Sequence, residues 1–194
     1  MAQPDRTVVG LDPSPLMLDV ARRKPGAERV RWIEGGAAQV PAEDADLALM
    51  SGHVAQFFLT DIEWSTALRD LGNGLRDGGR LAFESRNPEA KAWKGWTASQ
   101  RRTVVDPEHG PIDCWTEVVD ERPGGIVSTV VHRRLQHSGD DLASPVSLRF
   151  RGRDELVDSL VGAGFVVDSV LGNWRRGPAG ADEPELIVLA TRVA

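Results

Sequence analysis

The stretch Thr7-Val-Val-Gly-Leu-Asp-Pro-Ser-Pro-Leu-Met17 constrains the fold more than any other part of the chain. The β-branched Thr7, Val8 and Val9, followed by Leu11, form a short apolar run suited to a strand buried on both faces. Asp12 stands where that strand ends. Ser14 followed by Pro15 reads as an N-cap and the first residue of a helix. Met17, Leu18, Val20 and Ala21 give that helix an apolar side before Pro25-Gly26 stops it. A carboxylate is thus set at the carboxyl end of a buried strand, just before a helix. In open α/β sheets that edge binds ligands, and an acid there suits the hydroxyls of a ribose. The plainer reading is that Asp12 only helps to cap the helix.

The following residues repeat the rhythm. Arg29-Val-Arg-Trp-Ile33 alternates like a second short strand, and Glu34-Gly-Gly-Ala-Ala-Gln-Val-Pro41 is a loop by composition. Ala45–Met50 reads as a third strand, with Ser51-Gly-His-Val-Ala-Gln-Phe-Phe58 leaving its carboxyl end. Thr60-Asp-Ile-Glu63 is a capping-box pattern opening a helix with Trp64, Leu68, Leu71 and Leu75 on its apolar face. Asp77-Gly-Gly79 is expected to end that helix, and Arg80–Glu84 to form the fourth strand. Strands alternating with helices in this way predict a parallel sheet with crossover connections.

After Asn87-Pro88 the pattern changes. Glu89–Pro111 is polar, with Trp93 and Trp96 set in it, and Cys114–Phe150 alternates in short strands that turn at Pro123-Gly-Gly. Residues 88–150 are therefore expected to be an antiparallel insertion in a single domain of residues 1–194, whose sheet core comes from 1–87 and 151–194. A helix with Leu156, Val157, Leu160 and Val161 on one face resumes the core and ends at Gly164. Phe165–Val170 and Leu186–Arg192 are two final strands. Their connection is too short for a crossover helix, so they are expected to form an antiparallel hairpin.

The totals narrow the function. The 194 residues are 41% hydrophobic and 27% charged, enough apolar mass for one core. A net charge of −6 argues against a nucleic-acid partner. No apolar run has bilayer length and the first residues have no signal-peptide core, so no membrane partner and a cytoplasmic location are expected. Cys114 is the only cysteine, which leaves no intrachain disulfide and no cysteine metal cluster. His53, His109, His132 and His137 show no pair at metal-binding helical spacing, and no metal site is expected.

In this order the motifs resemble those of the class I S-adenosylmethionine-dependent methyltransferases. Val8-Val-Gly-Leu-Asp-Pro-Ser-Pro-Leu-Met17 is similar to that family's second motif, and Glu34-Gly-Gly-Ala-Ala38 to its adenine loop. Asp46-Leu-Ala-Leu-Met-Ser-Gly-His-Val-Ala-Gln-Phe-Phe58 resembles the fourth motif, and Leu75-Arg-Asp-Gly-Gly-Arg-Leu-Ala-Phe-Glu84 the turn into the fifth strand. The resemblance implies a Rossmann-like, mostly parallel sheet with a C-terminal antiparallel hairpin, an antiparallel β lid, and S-adenosylmethionine as cofactor. It implies that Asp12 binds the ribose, that Pro13, Ser14 and Met17 line the adenosine, and that Gly36 and Ala37 lie along the adenine. Ser51 and Gly52 would approach the methionine end, where His53 is the nearest titratable group: an acceptor of a substrate proton, or a structural histidine. The acceptor is expected to be a small molecule. Trp93, Trp96 and Trp115 would wall its pocket, or else anchor the lid by burial. Arg149, Arg151 and Arg153 would face an anionic substrate or solvent. Phe57 and Phe58 are expected in the core.

Two features depart from the family. Its adenine loop often carries an acid where Gly36 stands here. Its first strand and glycine-rich first motif have no counterpart before Thr7. In the resemblance that strand is central, between Thr7–Leu11 and Ala45–Met50, so two free edges open to self-association are expected. The expectation is either a start downstream of the true one or an inactive, shortened relative. A non-catalytic binding or scaffold protein and a nicotinamide dehydrogenase remain alternatives. The absence of a Gly-x-Ser-x-Gly elbow argues against a serine hydrolase.

Overall fold

The computed structural model of the protein describes residues 5–40 and 45–193. Strand β1, Val8–Asp12, pairs in parallel with β2, Val30–Glu34, with Asp12 opposite Glu34. Helix α1, Pro15–Arg22, joins them. Ser14 Oγ accepts a hydrogen bond from the Met17 amide at 3.4 Å, and a proline opens the first turn. The loop expected over Glu34–Pro41 holds a short 3-10 turn at Ala37–Gln39 that packs on the next helix; Pro41 lies outside the described residues.

Strand β3, Ala45–Met50, leads through a 3-10 turn at Val54–Phe57 to helix α2, Asp61–Gly74. The capping box forms as expected: Thr60 Oγ1 accepts from the Glu63 amide at 3.1 Å, and Glu63 Oε2 accepts from the Thr60 amide at 2.9 Å. Those bonds to Thr60 hold the Glu63 carboxyl below its usual pKa. The helix does not run to Asp77–Gly79. It ends at Gly74, and Leu75 already opens β4, Leu75–Arg86. Ala45 pairs with Leu75 but Leu47 pairs with Arg80, so Asp77–Gly79 bulge out of the ladder. Gly78 has φ 71°, and a Cβ on Gly79 would stand 2.8 Å from the Arg76 carbonyl oxygen. The fully buried Leu75 enters the core as the first residue of the strand rather than as the last of the helix.

The insertion is a four-stranded antiparallel sheet in sequential order, β5 (Arg102–Asp106), β6 (Gly110–Arg122), β7 (Ile126–Leu135) and β8 (Asp141–Arg149). Strand β5 lies where a polar segment without a strand was expected. It is an edge strand with mostly exposed residues, so it has no burial period to betray it. Helix α3, Arg153–Gly162, then leads to β9, Phe165–Leu171, and β10, Glu185–Arg192. Leu156 and Leu160 of α3 are buried, whereas Val161 is exposed.

The main sheet has the order β3-β4-β10-β9, with β3 parallel to β4 and β10 antiparallel to both neighbours. The hairpin at the end of the chain is therefore antiparallel, and the fold is the mixed α/β sheet that the sequence implies. Strands β1 and β2 form a separate pair; among the described residues no strand joins β1 to β3. The core gathers Met50, Trp64, Leu68, Leu81, Phe83, Leu156, Leu160 and Val188 between the main sheet and the helices. A smaller core of Trp93, Val127, Leu148 and Phe150 holds the lid. No helix among the described residues is long and apolar enough to cross a membrane.

The arginines at the end of the lid correct an expectation. Arg151 faces neither substrate nor solvent: it is 2% exposed, lies 5.1 Å over the Trp64 ring, and donates to the carbonyls of Ala55 and Thr60. Burial lowers its pKa to about 10. Arg149 is tied to the Leu59 carbonyl, Asp61 and Glu155, while Arg153 stays at the surface beside Asp154. Arg151 thus bolts the segment after β3 to the link between β8 and α3. Arg151→Ala strands two carbonyls at about 1 kcal/mol each and removes packing from Trp64. The expected loss is about 3 kcal/mol, read as a lower urea midpoint; an unchanged midpoint would refute the bolt.

Candidate functional site

Two groups of residues gather at the carboxyl ends of the parallel strands. The first surrounds Asp12. Its Oδ1 accepts from the Ser14 amide at 2.8 Å, and its backbone carbonyl accepts from the Gly35 amide at 3.1 Å. These bonds bring Asp12, Pro13, Ser14 and Met17 next to the loop holding Gly36 and Ala37. The Gly36 amide donates to Gln39 Oε1 at 2.8 Å, which closes that loop. Asp12 is half-buried, and Oδ2 has no protein partner among the described residues. The capping use of Asp12 is therefore real, but it occupies only one carboxylate oxygen.

The second group follows β3. Ser51 and Gly52 are exposed, and Gly52 (φ 73°) and His53 (φ 60°) turn through the left-handed region. For histidine that backbone costs about 1–2 kcal/mol, and three contacts hold it in place. Its amide donates to Glu84 Oε1 at 3.0 Å, and its Nε2 lies 3.0 and 3.1 Å from the two oxygens of Glu185. Glu84 and Glu185 come from adjacent strands, and Glu185 stands opposite Arg86 in the β4–β10 ladder. Arg86 Nη1 donates to Gln56 Oε1 at 2.8 Å, and the guanidinium lies 5.2 Å over the Trp96 ring. Burial lowers the Arg86 pKa; the nearby charges of Glu185 and Glu84 oppose that shift.

A cleft of about 420 Å³ opens between this turn and the inner face of the lid. Gly52, His53, Phe57, Arg86 and Trp96 line it on one side. Thr116, Thr129, Val131, Arg133, Ser144, Val146 and Leu148 line it on the other. Phe57 is in this wall and 56% exposed, not in the core, whereas Phe58 packs on Trp64 as expected.

The three tryptophans separate. Trp96 lines the cleft. Trp93 is buried against Phe150, with ring centroids 4.4 Å apart. Trp115 pairs with His132 on the opposite face of the lid sheet from Thr116 and stacks on the His132 ring at 4.5 Å. His132 is flanked there by Asp141 at 3.0 Å and Glu117 at 3.2 Å. A one-residue step along β6 reverses the face, so Trp115 cannot reach the cleft that Thr116 lines.

The structure does not merge the two groups into one enclosed pocket, since Asp12 lies outside the cleft lining. Sequence reasoning missed Glu84, Arg86, Arg133 and Glu185. Glu84 carried a readable signal, an acid closing an apolar strand at its carboxyl end. Glu185 carried none, because only the antiparallel register brings it to His53.

Comparison with known proteins agrees with this architecture. The model of a family described as a methyltransferase domain matches residues 1–79. No match was found among curated proteins. Among solved structures, an S-adenosylmethionine-dependent methyltransferase from Clostridium acetobutylicum superposes with a TM-score of 0.79 at 12% identity, covering 97% of this chain and 76% of that one. The CcbJ methyltransferase from Streptomyces caelestis gives 0.74 at 18% identity, with coverages of 96% and 75%. An amino pentose methyltransferase from Micromonospora echinaspora, solved with S-adenosylmethionine bound, gives 0.66 at 21% identity, with coverages of 96% and 74%. The chain is therefore built on the fold of the class I S-adenosylmethionine-dependent methyltransferases, and its residues 1–79 match a methyltransferase domain.

Proposed function

We propose that this protein transfers a methyl group from S-adenosylmethionine to a small-molecule acceptor. The observations that carry the reading are an acid, Asp12, at the carboxyl end of one parallel strand and a His53-lined cleft at the carboxyl end of another. When bound, the cofactor supplies an electrophilic methyl group. The residues present fit it at Asp12, where Oδ2 is free to accept from a ribose hydroxyl. Pro13, Ser14 and Met17 would line the adenosine, Gly36 and Ala37 the adenine, and the Ser51–Gly52 backbone the methionine end. Glu185 occupies Nε2 of His53, which leaves Nδ1 to take a proton from the acceptor. The lid closes the acceptor side and limits water there. A bound cofactor in one structural relative, and an amino sugar acting as acceptor of that same protein by its name, support a small acceptor.

Thermal unfolding with S-adenosylhomocysteine tests this. At a hundredfold excess over Kd the ligand stabilises by about 2.7 kcal/mol, a rise in Tm of about 5–10 °C. NAD should give none, and the reverse result would overturn the reading in favour of a dehydrogenase. A second reading, a non-catalytic and self-associating protein, is favoured by the edges of β1 and β3 that no strand covers among the described residues, and by the exposed Leu47 and Leu49. It is sustained if sedimentation shows oligomers while S-adenosylhomocysteine leaves Tm unchanged.

A further inference from the structure

The cleft is polarised, and the two ends call for different chemistry. At one end stands His53, its Nε2 held by Glu185 and its backbone amide by Glu84. At the other end the lid presents Arg133. Along β7 the inner face reads Thr129, Val131, Arg133, opposite Val146, Ser144 and Leu142 of β8. Arg133 is four residues beyond Thr129, about 13 Å along the strand. Its neighbour Arg134, on the other face, pairs with Asp141 at 3.5 Å. Arg133 has no carboxylate within ion-pair distance among the described residues, although its side of the cleft carries only hydroxyl and apolar groups. Between the two ends the walls are Phe57, Trp96, Val131 and Val146. Arg86 stands beside Trp96 on the facing wall, its charge balanced by the nearby Glu185 and Glu84, so Arg133 is the charge left for a ligand.

Resting on the methyl-transfer reading, we propose that the acceptor is a small acid: a protic nucleophile at the His53 end, an apolar body between the walls, and a carboxylate seated on Arg133. A guanidinium receives a carboxylate through two parallel N–H···O bonds, which fixes orientation as well as charge. With the acid held there, the nucleophile is directed towards His53 rather than the mouth of the cleft. A cationic acceptor is disfavoured by Arg133.

Calorimetric titration with para-hydroxyphenylacetate, its neutral analogue para-hydroxyphenylacetamide, and the cationic tyramine tests the assignment. The acid is expected to bind about tenfold or more tightly than the amide, and tyramine more weakly than either. Arg133→Gln, at an exposed position, should abolish the acid preference, and Arg133→Lys should restore part of it. Equal affinities, no binding of the acid, or an acid preference that survives in Arg133→Gln would overturn the proposal. Titration with S-adenosylhomocysteine separates the two claims. If it binds and the acid preference is absent, only the acceptor class falls. If it fails to bind and the preference stands, the methyl-transfer reading falls and the acid site remains.

Discussion

His53→Gly is expected to lower the turnover of methyl transfer about 10²- to 10⁴-fold, the usual contribution of a positioned general base. The same substitution should leave the unfolding free energy from urea titration within about 1 kcal/mol of the parent. The two effects separate because of the backbone. His53 sits at φ 60°, where glycine is relaxed and histidine is strained. Relief of that strain offsets the extra freedom glycine brings to the unfolded chain and the loss of the Glu185 contact. A purely structural histidine would give the opposite pattern, with stability lost and turnover kept. Glu185→Gln supplies the companion measurement. Glu185 touches the proposed base, so kcat should fall about tenfold with KM unchanged, and Glu185→Asp should recover part of the rate. If His53→Gly keeps full turnover, the proton is taken elsewhere.

The second large effect is at Asp12. Asp12→Ala removes a carboxylate whose Oδ2 is proposed to accept from a ribose hydroxyl, and one charge-assisted bond contributes about 1.5–3 kcal/mol. Affinity for S-adenosylhomocysteine should fall about 100-fold by calorimetry. Because Oδ1 also holds the Ser14 amide at 2.8 Å, the alanine variant loses the turn into α1 as well. Asp12→Asn distinguishes the two roles. Its side-chain carbonyl still accepts from Ser14, so the turn is kept, while the loss of charge weakens the ribose contact. An affinity drop of about tenfold in Asp12→Asn with an unchanged Tm supports the ribose role. Unchanged affinity in both variants would reduce Asp12 to a cap.

Much of this protein is written in short-range signals. The apolar run before Asp12, the Ser14-Pro15 cap and the Thr60–Glu63 capping box act within one turn of their own positions, and each appears where it was expected. The errors lie where distant pairing overrides local preference. Asp77-Gly-Gly79 reads as a helix stop, yet burial of Leu75 and its pairing with Ala45 start the strand earlier and push the glycines into a bulge. Strand β5 has little burial of its own and exists because β6 offers it an edge. Phe57 and Phe58 are adjacent and identical in composition, but a single turn sends one into the core and the other into the cleft wall.

By itself the sequence determined which segments become strands and helices around the first acid, because caps, breakers and hydrophobic period are local properties of the chain. Tertiary structure alone decided the chemistry of the cleft. His53 and Glu185 are 132 residues apart, and Arg133 belongs to a lid whose faces alternate residue by residue. Such meetings depend on strand register and on which face each sheet buries. Those are set by the summed burial of the whole core, and no short window of residues contains that information.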